Sequence, residues 1–294
     1  MLTMKDDIGH SNTDRRYIFT VCAGRNGQNS LTHLLQRSVP NCLALFEAPH
    51  ANIHLSGRLG NWEHKIRRRF VETHELLGRG RVLQAYDQGN DEYIARIAKK
   101  RLRRIDREMT VTNATIYFDV SKFFARGLHV GFARNLPSYS VVLLVRDPIL
   151  NMRSFLNRNK NFYLDNTQPD APRNLLHMEA KALSKGELYL WAWCEMYLRY
   201  LQMAAEDRVD AATIIHTSRL EDSDYMAAAL GEIGVPHGSL VTSAPRNTNN
   251  SQGIKATVMR DEDISLFNGF LEKLPHDARR AITYFDNYVP GQPA

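Results

Sequence analysis

Gly24-Arg25-Asn26-Gly27-Gln28-Asn29-Ser30 is the segment best equipped for chemistry. Its two glycines let backbone N–H groups approach a ligand closely. Arg25 adds a fixed cation with several donors. Tyr17-Ile18-Phe19-Thr20-Val21, just before it, reads as a buried strand, and Leu31-Thr32-His33-Leu34-Leu35, just after it, as the opening turns of a helix. A strand, a glycine turn and a helix start together make an anion site. The first N–H groups of a helix have no intrahelical acceptor, and the helix dipole favours negative charge there. The expected ligand is a phosphate-like group. A nucleoside triphosphate loop carries lysine before its hydroxyl residue; Gln28-Asn29 occupy that stretch here, which weighs against an ATP-dependent phosphotransferase.

A second segment repeats the pattern. Ser140-Val141-Val142-Leu143-Leu144-Val145 reads as another buried strand and runs into Arg146-Asp147-Pro148. Pro148 suits the first turn of a helix, where its missing N–H costs nothing. Ser154 follows two turns into that helix, so Arg146 and Ser154 could close on one compact anion. A capped helix with solvated polar residues would explain the same residues without a ligand.

With both segments in view the chain resembles a known family. Gly24-Arg25-Asn26-Gly27-Gln28 and the leucines after it are similar to the 5′-phosphosulfate loop of sulfotransferases, often GRSGST-LL in bacterial members. Val145-Arg146-Asp147-Pro148 with Ser154 resembles that family's 3′-phosphate motif. The resemblance covers mainly 17–50 and 114–158 and is thin across 55–110 and 159–210. It implies 3′-phosphoadenosine 5′-phosphosulfate (PAPS) as sulfuryl donor and an acceptor hydroxyl on a carbohydrate or small natural product. Carried over, Arg25 and the N–H groups of residues 24–30 hold the 5′-phosphosulfate, and Arg146 and Ser154 hold the 3′-phosphate. The chain departs from the family at Gln28-Asn29, where Ser-Thr is usual, so Ser30 or the amide side chains must supply those contacts. Transfer of a sulfuryl group resembles phosphoryl transfer, in which positioning and electrostatics do most of the work.

The remaining site expectations follow from the same resemblance. Glu47 leaves the end of the strand Cys42-Leu43-Ala44-Leu45-Phe46, comparable to a catalytic glutamate in glycan- and tyrosine-modifying members, and is the first choice of general base. His50 is the second. A helix cap or a solvated loop carboxylate would account for Glu47 equally well. Thr115-Ile116-Tyr117-Phe118-Asp119-Val120 reads as a strand, and with Ser121-Lys122 it loosely resembles a segment of heparan-type members. Asp119 and Lys122 are therefore expected at acceptor or sulfate, with a strand-end ion pair as the structural alternative. Arg246 and Lys255 lie in a polar loop late in the chain, where the family often closes its nucleotide site with a basic loop; an ordinary surface loop is the structural alternative. Metal is not expected: His50 and His54 lie four apart with Glu47 upstream, but Pro49 and the lack of an HExxH pattern weigh against a site.

Most of these residues lie at or just after the end of a strand, so the elements must bring strand ends together. Short apolar strands at 17–21, 42–46, 114–119, 140–145 and 211–216 alternate with helical tracts, one of them at about 178–207. That alternation predicts a P-loop-like three-layer α/β/α domain with a mainly parallel sheet and ligands at the strands' carboxyl ends. Thr217–Asp222 follows the last strand, and its Glu221-Asp222 pair suits a helix start. The whole chain, 1–294, reads as one domain with a basic, helical insert at about 55–110. In that insert Ile94, Ile97, Ala98, Leu102 and Ile105 make an apolar stripe, and Arg67-Arg68-Arg69, Arg79-Gly80-Arg81 and Lys99–Arg104 carry charge. A solvated face, a surface for an anionic acceptor, and nucleic-acid binding are the competing readings; the last is disfavoured because no nucleic-acid module is recognised.

Composition sets the outer limits. The 294 residues carry a formal charge of +6, with 43% hydrophobic and 24% charged residues, ordinary for a globular protein. No stretch reaches membrane-spanning length, and 1–16 lacks a secretory apolar core. Cys22, Cys42 and Cys194 form no CxxC, and an odd count argues against a disulfide framework. A cytoplasmic enzyme is the expectation. The aromatic tract at 189–200 is expected to pack in the core. Oligomeric state is not legible in the chain.

Overall fold

The computed structural model describes residues 15–47, 74–158, 160–164, 166–236 and 257–290. His50, His54, Arg246, Lys255 and Arg67-Arg68-Arg69 lie outside the described residues. The strands are β1 (Arg16–Val21), β2 (Cys42–Phe46), β3 (Ile116–Val120), β4 (Tyr139–Val145) and β5 (Val209–His216). All pairings are parallel, in the order β2-β3-β1-β4-β5. The expected three-layer α/β/α class is the observed one.

Burial on both faces explains why the strands are apolar runs. In β4 all seven residues are buried, and in β1 only Arg16 is not. The period of two then sorts side chains between layers. Ile18, Cys22, Phe118, Val142 and Leu144 meet α1 (Gln28–Ser38) and a later helix through Leu31, Leu35, Met226 and Leu230. Phe19, Val21, Tyr117, Val141 and Val145 face the other layer. There α2 (Arg81–Asp87), α3 (Asp91–Thr112), α4 (Leu128–Asn135), α5 (Pro148–Leu156) and α6 (Lys185–Ala204) pack, followed in chain order by α7 (Ser223–Glu232), α8 (Asp261–Lys273) and α9 (His276–Ala281). The aromatic tract of α6 is core, with Tyr189, Trp191, Trp193, Tyr197 and Tyr200 all buried. Among the described residues no helix is long and apolar enough to cross a membrane.

Topology fixes where a ligand can sit. From β1 the chain crosses by α1 towards β2; from β4 it crosses the other way, to β5. Connections diverge between β1 and β4, and the crevice at such a switch point is where open α/β sheets bind ligands. Val21 pairs with Leu143, so the loops after β1 and β4 leave the sheet at the same end.

Two expectations are corrected. The long helix starts at Lys185, not near 178, because Ser184 and Glu187 form a capping box that sets its first turn. Asp119 does not reach a ligand site. It is fully buried, and its carboxylate takes the Arg101 guanidinium of α3 at 2.9 Å. Burial pushes the Asp119 carboxyl up, and Arg101 opposes that shift. The strand-end ion pair is therefore the role Asp119 has in the fold. Removing one member of a buried pair leaves the other uncompensated, so Asp119→Ala is expected to cost about 3–5 kcal/mol. Asp119→Leu combined with Arg101→Met should recover much of that loss; urea unfolding of the three proteins checks it.

Candidate functional site

The loop between β1 and α1 is bent by its own sequence. Gly24 and Gly27 have φ of 93° and 77°, and Arg25 between them has φ of 59°. Positive φ is natural for glycine and uncommon for arginine, so the turn holds Arg25 in a strained conformation. Space is short as well: a Cβ on Gly27 would lie 2.6 Å from the Thr217 methyl, and one on Gly24 2.8 Å from Cδ of Lys122. Lys122 therefore lies directly against the loop. Gly27 caps α1 without a side-chain hydrogen bond, and no acid occupies the first turn. The N–H groups of Gln28, Asn29 and Ser30 stand at that start, where helix geometry gives them no intrahelical acceptor.

Buried amides pin this loop to the sheet. Asn26 donates from Nδ2 to the Leu144 carbonyl at 2.8 Å, and Asn151 of α5 donates to Asn26 Oδ1 at 2.8 Å and to the Gly24 carbonyl at 2.7 Å. The Asn26 side chain is thus spent on holding the loop, and the residue is buried. Thr217 Oγ1 sits 2.7 Å from the Asn26 carbonyl and 2.8 Å from that of Val145, joining the ends of β1, β4 and β5.

The two motifs meet. Arg25 Nε donates to Ser154 Oγ at 3.1 Å, and Arg146 donates to the Arg25 carbonyl at 3.2 Å. Among the described residues no carboxylate forms an ion pair with Arg25 or Arg146. Burial, then the neighbouring charges of Arg158 and Arg146, push the Arg25 guanidinium down to about 10. Burial lowers Arg146 too, against the favourable pull of Asp147. Both shifts have the sign of cations kept partly dry, with Glu47 and Asp147 offsetting the burial only in part. Asp147 is occupied: it caps α5 through the Leu150 N–H at 2.8 Å and accepts the Tyr288 hydroxyl at 2.8 Å. Trp193 Nε1 donates to the Arg146 carbonyl at 2.9 Å, so α6 fixes the second motif from behind.

Glu47 stands at the rim. Its N–H reaches the Val120 carbonyl at 3.3 Å, and Gln28 Nε2 lies 3.4 Å from its Oε1. Its backbone has φ of 44°, a second non-glycine residue at positive φ beside the same loop. Its charge acts on Arg25 and on Asp119.

No family model matches the chain, and no curated protein matches it. Among solved structures it is similar to the sulfotransferase domain from the Synechococcus PCC 7002 olefin synthase. That likeness covers 93% of this chain and 100% of the other, at 12% identity and a TM-score of 0.40.

Three contributors carry no sequence signal. Arg158 adds positive charge beside Arg25 from just beyond α5. Arg126 is buried and donates to the Ala23 carbonyl at 2.8 Å, anchoring the root of the loop. Asn151 lies inside the Arg-Asp-Pro to Ser154 interval and ties both motifs together. Asn151→Leu keeps the branched shape but strands the Gly24 and Asn26 acceptors. It is expected to cost about 1–3 kcal/mol in urea unfolding and to weaken phosphate-type ligands.

Proposed function

We propose that this protein is a PAPS-dependent sulfotransferase acting on an acceptor hydroxyl of a carbohydrate or small natural product. The observation that carries the reading is the convergence of Arg25, Arg146 and Ser154 on an uncapped helix start, without a neutralising carboxylate among the described residues. Such a place suits an anion carried at two ends of one ligand. The residues fit the donor: close-approach glycines for the phosphosulfate, two arginines for separate charges, and a serine hydroxyl for the 3′-phosphate.

PAPS supplies the sulfuryl group and departs as adenosine 3′,5′-bisphosphate. Arg25 and the N–H groups of Gln28, Asn29 and Ser30 hold the sulfuryl and 5′-phosphate oxygens and stabilise charge as it builds there. Lys122, packed against Gly24, lies within the same positive field. Arg146 and Ser154 hold the 3′-phosphate and set the donor's register. Glu47 takes the proton of the acceptor hydroxyl, and Gln28 orients its carboxylate. Strained backbone at Arg25 and Glu47 supports a functional use for both, since such strain persists where the surroundings enforce it.

Binding and catalysis separate the residues. Adenosine 3′,5′-bisphosphate at a hundredfold excess over Kd should stabilise the wild type by about 2.7 kcal/mol. Arg146→Ala should lose most of that gain. Glu47→Gln should keep it, yet lower the rate of sulfuryl transfer by about 10²–10⁴. Stabilisation by ATP–magnesium alone would replace the reading with a phosphotransferase.

A further inference from the structure

The segment after α9 folds back onto the second motif. Tyr284 and Phe285 set their ring centroids 5.2 Å and 5.5 Å from that of Trp193. Tyr288 packs its ring 5.3 Å from Phe267 of α8 and 5.5 Å from Tyr284. This aromatic cluster holds two consecutive residues of the motif. Trp193 Nε1 donates to the Arg146 carbonyl at 2.9 Å, and the Tyr288 hydroxyl donates to Asp147 Oδ2 at 2.8 Å. Asp147 Oδ1 accepts the Leu150 N–H at the start of α5 at 2.8 Å. A donor thus engages each oxygen, and together they fix the direction of the carboxylate. Burial and the Asp147 charge push the Tyr288 hydroxyl far above its ordinary pKa, so it is a donor at every working pH.

Arg146 is the neighbour of Asp147 in the chain. The Asp147 charge acts on its guanidinium, yet the two side chains form no ion pair. The guanidinium donates instead to the Arg25 carbonyl at 3.2 Å, towards the loop after β1. We infer that Tyr288 is a positioning residue for Arg146: by holding Asp147 Oδ2 it keeps that carboxylate from closing on the adjacent guanidinium, and so leaves Arg146 open to a ligand anion. A partly buried guanidinium gains from a charge-assisted bond to a carboxylate, and a carboxylate one peptide away would compete with the ligand for it. Without the Tyr288 hydroxyl, Oδ2 lacks its donor and Arg146 is the cation beside it in the chain. The identity of the anion rests on the sulfotransferase reading; the control of Asp147 by Tyr288 does not. The plainer role, a tether for the end of the chain, would change stability without changing which groups Arg146 can bind.

Calorimetric titration with adenosine 3′,5′-bisphosphate and with adenosine 5′-monophosphate, which lacks the 3′-phosphate, tells the two roles apart. Tyr288→Phe keeps the ring and should bind the bisphosphate about tenfold less tightly, the size of one hydrogen bond to a charged group. Its affinity for the monophosphate should stay at the wild-type value. Asp147→Asn/Tyr288→Phe should recover the lost affinity, because asparagine still caps α5 but brings no charge to Arg146. Crystals of unliganded Tyr288→Phe should show Asp147 turned onto the Arg146 guanidinium. Equal loss for both nucleotides, a double variant as weak as Tyr288→Phe, or an unmoved Asp147 in those crystals would reduce Tyr288 to a tether and overturn the inference. A wild type that binds neither nucleotide would remove the sulfotransferase reading, and the Asp147–Arg146 ion pair in the variant's crystals would still support the inference.

Discussion

Two arginines held together without an ion-pair partner among the described residues are the constraint on which the candidate site depends. Arg25 and Arg146 repel each other, and burial lowers both guanidinium pKa values. Folding must therefore hold them in place against their own electrostatics. The fold supplies rigid backbone on three sides: the strained turn at Arg25, the capped start of α5 beside Arg146, and the Trp193 bond from α6. An anion placed between these charges relieves the repulsion and restores favourable pairing. A cation pair fixed in this way suits negative charge, and the proposed sulfuryl transfer would exploit that preorganisation.

The neutral network beneath it makes this possible. Asn151 donates to Asn26 Oδ1 and to the Gly24 carbonyl, and Asn26 donates to the Leu144 carbonyl, all out of water. Hydrogen bonds in a low-dielectric interior are strong when satisfied and costly when not, so the loop geometry is tightly specified. Sheet topology adds the coarse placement. The β1 and β4 ends are adjacent and their crossovers diverge, so both motifs open into one crevice.

How much of this the sequence disclosed depends on the physics of each element. The three inner strands were legible because they are buried on both faces and so read as unbroken apolar runs, as in Val141–Val145, and the half-buried edge strands β2 and β5 by their short apolar segments. The glycine loop and Arg146-Asp147-Pro148 were legible because turn chemistry and helix-start chemistry are local. Ser154 at Arg25 is a contact across 129 residues, which spacing alone did not show: it paired Ser154, two turns into the helix after Arg146, with Arg146. Asp119 was misplaced because its partner Arg101 lies in a charge-rich tract that reads as solvated, and nothing local marks that arginine as the one that turns inward. Asn26 looked like a ligand donor because amides suit both roles; only its burial against Leu144 decides between them. Arg126 and Arg158 are single arginines whose roles exist only in three dimensions. The start of α6 was within reach, since Ser184-x-x-Glu187 spells a capping box.

The most direct measurement is a crystal structure of the protein with adenosine 3′,5′-bisphosphate. The account predicts one phosphate against Arg25 and the N–H groups of Gln28–Ser30, and the other against Arg146 and Ser154. A bisphosphate seated elsewhere, with Arg25 and Arg146 still facing water, would contradict it.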